Sequence, residues 1–108
     1  MDKTPIHSFR EFYPYYLNEH RHPVNRLLHI TGTLLLIVVL LVAVCTQRWW
    51  MFAILPLIGY GFAWVGHFFI EKNKPATFTH PFYSLASDFL MCWHFVTGQL
   101  KTKMEQAA

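Results

Sequence analysis

Gly66-His67-Phe68-Phe69-Ile70-Glu71-Lys72-Asn73-Lys74-Pro75-Ala76 closes a segment that carries no formal charge from Trp49 to Ile70. His67 and Glu71 stand four apart, so an α-helix would put both on one face. Lys72 and Lys74 suit a lipid headgroup layer, and Pro75 cannot continue a helix. A histidine just inside an apolar span, one turn from a carboxylate, is expensive in hydrocarbon and marks a candidate site. The stretch therefore sets two expectations together: a membrane-crossing helix over 50–71, and a functional group at its end.

Working outward, a second apolar run appears on the N-terminal side. From Leu27 to Gln47 there is again no formal charge, and about 21 residues at about 1.5 Å each cross roughly 30 Å of hydrocarbon. The first span is expected over 24–47, opened by Pro23 in its first turn. Asn25, His29, Gly32 and Thr33 share one of its faces. Thr46-Gln47-Arg48-Trp49-Trp50 reads as a short turn with interfacial tryptophans, Pro56 as a bend in the second span, and Gly59, Ala63 and Gly66 as a small-residue face for close helix approach.

The flanks are amphipathic. Ser8 and Glu11 form a capping-box pattern that starts a helix over 8–22. Residues 1–7 are expected to fray. Phe9, Phe12, Tyr13, Tyr16 and Leu17 fall at helical spacing, with Pro14 as a kink or as the break between two short helices, and suit a helix lying in the membrane surface. Leu85, Phe89, Cys92, Trp93, Val96 and Leu100 give another helical stripe, expected as one helix over 82–103. Asp88 makes a full crossing costly there, with a third span as the alternative. The fold expected is an all-α membrane protein: a two-span helical hairpin with interfacial helices at both ends, in one domain over 1–108.

Composition agrees. Apolar residues make up 54% of the 108 residues and charged residues 14%, against a usual quarter charged. The basic residues do not form a patch, so nucleic acid is excluded as a partner. Lys3, Arg10, Arg21, Arg26, Lys72, Lys74, Lys101 and Lys103 flank the outer ends of the hairpin, and Arg48 alone lies in the turn. The positive-inside rule then places both termini in the cytoplasm, in the inner membrane if the source is bacterial. No signal-peptide pattern is expected in the first 26 residues. Cys45 and Cys92 are read as two buried thiols outside any metal-type spacing.

The hairpin brings His29 and His67 to one depth, near the cytoplasmic interface. His20 and His22 approach from the N-terminal side and His80 from the other. Imidazoles and a carboxylate converging at one level suit a divalent metal, Fe(II) or Zn(II) first. Glu71 is open between a ligand, a partner that fixes an imidazole tautomer, and an end charge beside the lysines. Asn25 and Asn73 are read as helix-end hydrogen bonders or as supports for the histidines. His7 is expected to be solvated and His94 structural.

Two linked patterns carry a resemblance. His20-Arg21-His22-Pro23-Val24-Asn25-Arg26-Leu27-Leu28-His29 and Gly66-His67-Phe68-Phe69-Ile70-Glu71-Lys72-Asn73-Lys74-Pro75-Ala76 resemble the membrane 2-hydroxy-fatty-acid dioxygenase family. The resemblance implies an Fe(II)-dependent dioxygenase of fatty acid α-oxidation. Its substrates would be a long-chain 2-hydroxy fatty acid and O2, and its product a fatty acid one carbon shorter. It implies His20, His29 and His67 as iron ligands, with Glu71 and Asn25 as catalytic candidates. Arg21, Arg26, Lys72 and Lys74 are candidates to hold the substrate carboxylate while the acyl chain stays in membrane lipid. The small-residue surface suits a homodimer. A reading from a different class stays open: a small membrane scaffold or complex subunit whose histidines are structural.

Overall fold

The computed structural model describes residues 6–75 and 78–108. Lys3, most of the expected frayed start and Ala76 of the second motif lie outside the described residues. The described residues contain helices and no strand: α1 (Phe9–Asn18), α2 (Pro23–Thr46), a 3-10 segment (Trp49–Ala53), α3 (Leu55–Val65), a π-turn (Gly66–Glu71), α4 (Pro81–Val96) and α5 (Leu100–Ala107). They fall into two compact units, one of residues 21–75 and one of residues 1–20 with 76–108.

In the unit of residues 21–75, Pro23 occupies the first turn of α2, where its missing N–H costs nothing. The helix stops at Gln47, which adopts the left-handed conformation at φ 55°. Pro56 does not bend a continuous helix as expected. It sits in the first turn of α3, and the change of direction is taken up by the 3-10 segment before it. α2 and α3 pack in opposite chain directions. Asn25 lies against Gly66, Gly32 against Phe62, and Leu36 against Gly59. A Cβ on Gly32 would meet Phe62 Cβ at 2.9 Å, and one on Gly66 would meet Asn25 Oδ1 at 1.8 Å. These two glycines let the backbones approach. Gly59 and Gly66 of the small-residue face thus meet α2 within the chain, as expected of a face suited to close helix approach.

The stretches Pro23–Thr46 and Trp49–Glu71 are long and apolar enough to cross a membrane. Only 28% and 17% of their apolar windows are buried. The core helix of a soluble domain would be mostly enclosed, whereas here Leu34, Val38, Leu41, Leu57 and Phe69 face outward. Cys45, expected buried, is exposed on α2.

The other unit packs α1 on α4 and α5. Ser8 caps α1, its Oγ accepting from Glu11 N–H at 3.3 Å, and the Glu11 carboxylate accepts from His7 N–H at 3.1 Å. Pro14 lies within one continuous helix rather than between two short ones. Phe12, Tyr13, Tyr16 and Leu17 are buried, so the aromatic stripe expected at a membrane surface lies inside the protein. Polar bonds hold it there. Tyr16 OH donates to Asp88, Tyr13 OH lies 2.7 Å from His94 Nδ1, and Asn18 Nδ2 donates to Ala107 O at 2.8 Å.

α4 turns a mixed face inward and an apolar face outward. Ser84, Ser87, Met91, Cys92 and His94 are buried, while Phe82, Leu85, Phe89, Trp93 and Val96 are exposed. Its 16 residues span about 24 Å at about 1.5 Å each, short of roughly 30 Å of hydrocarbon. The single helix expected over 82–103 is interrupted. Gly98 at φ 76° turns the chain, and Gln99 N–H closes on His94 O at 2.7 Å before α5 begins.

Candidate metal centre

The start of α2 and the end of α3 together position this region of the 21–75 unit. His22 caps α2 with its ring, Nδ1 accepting from Val24 N–H at 3.1 Å. Glu71 Oε1 accepts from the backbone N–H of His22 at 2.5 Å. A carboxylate at a helix N-terminus satisfies an orphan donor and complements the helix dipole. Glu71 therefore ties the end of the π-turn to the beginning of α2.

His67 lies in the π-turn Gly66–Glu71, whose last residue, Glu71, is engaged by the His22 amide. Lys72 then turns the chain in the left-handed conformation at φ 59°, and Asn73 N–H bonds to His67 O at 3.0 Å. The same turn brings Asn73 Oδ1 to 2.6 Å from His67 Nδ1. Of the two residues open as supports for this imidazole, Glu71 and Asn73, it is Asn73 that makes the bond.

His29 and His67 are both buried and stand edge to face, with ring centroids 4.9 Å apart and planes at 85°. The matched depth expected from two antiparallel helices is what the structure has. Beside them Asn25 is fully buried. Neither its Oδ1 nor its Nδ2 has a hydrogen-bond partner among the described residues. Leaving such groups unsatisfied costs about 1–3 kcal/mol each.

His20 is described with α1. It is fully buried, its ring lies 4.1 Å from the Tyr16 ring, and its Nδ1 is 2.6 Å from Tyr16 O. A carbonyl oxygen only accepts, so Nδ1 carries the proton and Nε2 keeps its lone pair. Asn73 Oδ1 sets the same tautomer for His67. Tethering Nδ1–H to an oxygen is how proteins orient an imidazole that binds metal through Nε2.

His20, His29 and His67 are each buried, and each offers one ring nitrogen of the kind that binds a metal ion. The donor set fits a borderline divalent cation such as Fe(II) or Zn(II). Among the described residues no carboxylate joins the group. A family model described as 2-hydroxy-palmitic acid dioxygenase Mpo1-like matches residues 6–100.

The chain belongs to this family.

No curated protein and no solved structure matches it. The Mpo1-like family name points to 2-hydroxy fatty acid dioxygenase activity and, with it, to a metal.

The remaining candidates are placed as follows. His22 serves as a cap. His80 has Nδ1 2.9 Å from Thr79 Oγ1 and its ring beside Phe12 and Tyr83. His94 bonds Tyr13, and burial, then nearby Lys103, pushes its pKa below the usual value. Arg26 Nη1 donates to Arg21 O at 2.7 Å, while Arg21, Lys72 and Lys74 have exposed side chains. Sequence reasoning passed over Tyr16 and Asp88 as parts of one polar array. The signal was available: Tyr16 stands four residues before His20, one helical turn away.

Proposed function

We propose that this member of the Mpo1-like family is a membrane-embedded, Fe(II)-dependent dioxygenase that converts a long-chain 2-hydroxy fatty acid to the acid one carbon shorter. The reading rests on one observation above all: three buried histidines, two of them with Nδ1 tied to an oxygen so that Nε2 faces away from the tether. His20, His29 and His67 would hold the metal. Fe(II) bound there would offer open positions to the substrate's hydroxyl and carboxylate and to O2. The reaction balances as one 2-hydroxy acid and one O2 giving the shortened acid, CO2 and water.

The chain's own groups divide the remaining work. Tyr16 O and Asn73 hold the imidazoles in one tautomer and orientation. Glu71 fixes the start of α2 against the π-turn through the His22 amide, which sets the spacing of His29 and His67. Asn25 has a buried amide with no hydrogen-bond partner among the described residues, and we assign it to the substrate's hydroxyl-bearing head. Arg21, Arg26, Lys72 and Lys74 hold the carboxylate at the membrane surface. Long basic side chains keep their charge in the headgroup layer while their stems cover apolar surface. α2 and α3 cross the bilayer, and the acyl chain stays in hydrocarbon.

The test is conversion of 2-hydroxypalmitate to the fifteen-carbon acid by anaerobically purified, Fe(II)-loaded protein after admission of O2. Oxygen uptake matched to product supports the reading. A stable, metal-free protein that leaves the substrate unchanged supports a scaffold role instead.

A further inference from the structure

Four ionisable side chains of the unit built from α1, α4 and α5 have no task in the reaction described above. Tyr13 and Tyr16 stand three apart on α1, both buried, with ring centroids 6.1 Å apart and planes at 15°. Each phenol meets a base. Tyr16 OH donates to the Asp88 carboxylate, and Tyr13 OH lies 2.7 Å from His94 Nδ1. Burial first and nearby Lys103 second push the His94 pKa below its ordinary value, so a neutral ring can accept the phenol's proton at Nδ1. A buried hydroxyl is satisfied by any carbonyl. Here both acceptors are groups that take up a proton, in direct hydrogen-bond contact as a base must be.

The pair also has two distinct ends. On one side the Tyr16 ring lies 4.1 Å from the ring of His20, proposed above as a metal ligand. On the other, Tyr13 lines a groove of about 610 Å³ that carries Arg10 and Lys103 and no acidic side chain. His20, Tyr16 and Tyr13 thus form a row of aromatic contacts. Electron transfer slows exponentially with distance, so a row of touching rings is a fast path. A phenol that loses an electron becomes a very strong acid. Its oxidation is therefore easiest where a base takes the proton at once.

We propose that Tyr16 and Tyr13 are a one-electron relay. It discharges an oxidising equivalent left at the metal when O2 is consumed without substrate. For the source of that oxidant the proposal rests on the reading of the chain as an O2-using metalloenzyme. Tyr16 gives one electron toward His20 and its phenolic proton to Asp88. Tyr13 then gives one electron to Tyr16, which recovers its proton from Asp88, and Tyr13 passes its own proton to His94. A reductant in the groove returns one electron to Tyr13, and His94 returns the proton. The sum is one electron moved from the reductant to the oxidised centre, with every proton back in place. Arg10 and Lys103 favour a small anionic reductant at that end.

The relay is tested first without metal. Full-length, metal-free protein in detergent is oxidised by flash-generated tris(bipyridine)ruthenium(III), and the long-lived radical is trapped for electron paramagnetic resonance. Site-specific 3,5-difluorotyrosine at 13 or at 16 keeps the ring and the hydroxyl, so folding is preserved. Fluorine splitting from these two positions, and none from the same label at Tyr60, supports the relay. A radical that carries no splitting from either position overturns it. His94→Phe should cut the yield at position 13 at least about tenfold, as loss of a positioned base does. An equal yield removes the proton acceptor and with it the proposal.

The second measurement uses iron-loaded protein and counts turnovers of 2-hydroxypalmitate before inactivation in O2. Tyr13→Phe should leave the initial rate unchanged and lower that count several-fold. Ascorbate, the anionic probe, should raise the count in the wild type and not in Tyr13→Phe. Equal endurance of the two proteins overturns the relay while leaving the dioxygenase reading intact. Fluorine-split radicals at 13 and 16 in a protein with no turnover keep the redox-active pair and remove the reaction.

Discussion

The side-chain oxygen of Asn73 lies 2.6 Å from Nδ1 of His67. The two residues are six apart, and the left-handed turn at Lys72 that ends the π-turn brings them together. The bond fixes which nitrogen of His67 can bind metal. Asn73→Leu is expected to weaken Fe(II) or Co(II) binding about 10–100-fold, as is usual when the partner of a ligating histidine is removed. Asn73→Asp, which restores the acceptor, should recover most of it. Titration followed by the Co(II) absorption spectrum checks both.

Tyr16 and Asp88 make a second pairing, across α1 and α4. The Tyr16 hydroxyl is held far above its ordinary pKa by burial first and by the Asp88 charge second, so it stays a donor throughout the working range. Asp88→Leu leaves this buried hydroxyl without its partner and should destabilise the protein by about 1–3 kcal/mol. Adding Tyr16→Phe should return part of that loss. Thermal unfolding of the two single variants and the double variant gives the coupling. If Asp88→Leu unfolds with wild-type stability, the pairing contributes nothing.

How much of this was legible in the residues varies by element. The two long apolar helical stretches were legible because each charge-free run is long enough for a helix to cross a bilayer. The level shared by His29 and His67 followed from counting inward from the ends of antiparallel helices. The π-turn was not legible, since no local spacing rule distinguishes five-residue from four-residue bonding over Gly66–Glu71. Glu71 and Asn73 were both open as supports for His67, and the contact is made by Asn73. The aromatic face of α1 gave a true helix and a wrong environment, because a stripe of Phe12, Tyr13 and Tyr16 looks the same facing lipid or facing α4 and α5. The break at Gly98 was visible as a glycine, but the apolar periodicity on both sides masked it.

Gly66 supplies a packing prediction. Its missing Cβ is where Asn25 Oδ1 sits, at 1.8 Å. Gly66→Ala should displace the Asn25 side chain and disturb His67 beside it, with loss of metal binding and a stability cost of about 1–3 kcal/mol, typical of overpacking. Gly59→Ala meets Leu36 Cδ1 at an ordinary 3.4 Å and should leave metal binding unchanged. Equal behaviour of the two alanine variants would contradict the close approach of α2 and α3 at Asn25.

The charge distribution predicts topology. Arg48 is the sole basic residue between the two apolar stretches. Reporter fusions at either terminus should therefore report cytoplasm, and an insertion beside Arg48 should report the opposite side. Termini on opposite sides would mean an odd number of crossings, with α4 as the third despite its length.

The iron content of anaerobically purified full-length protein tests the metal site most directly, read together with conversion of 2-hydroxypalmitate. Wild-type protein should carry near-stoichiometric iron. His29→Ala and His67→Ala should each lose it and stay folded, with turnover reduced by more than the roughly 10–100-fold of a supporting residue. His7→Ala should match wild type. If the His29 and His67 variants keep both iron and turnover, these histidines do not hold the metal and the account of the site is wrong.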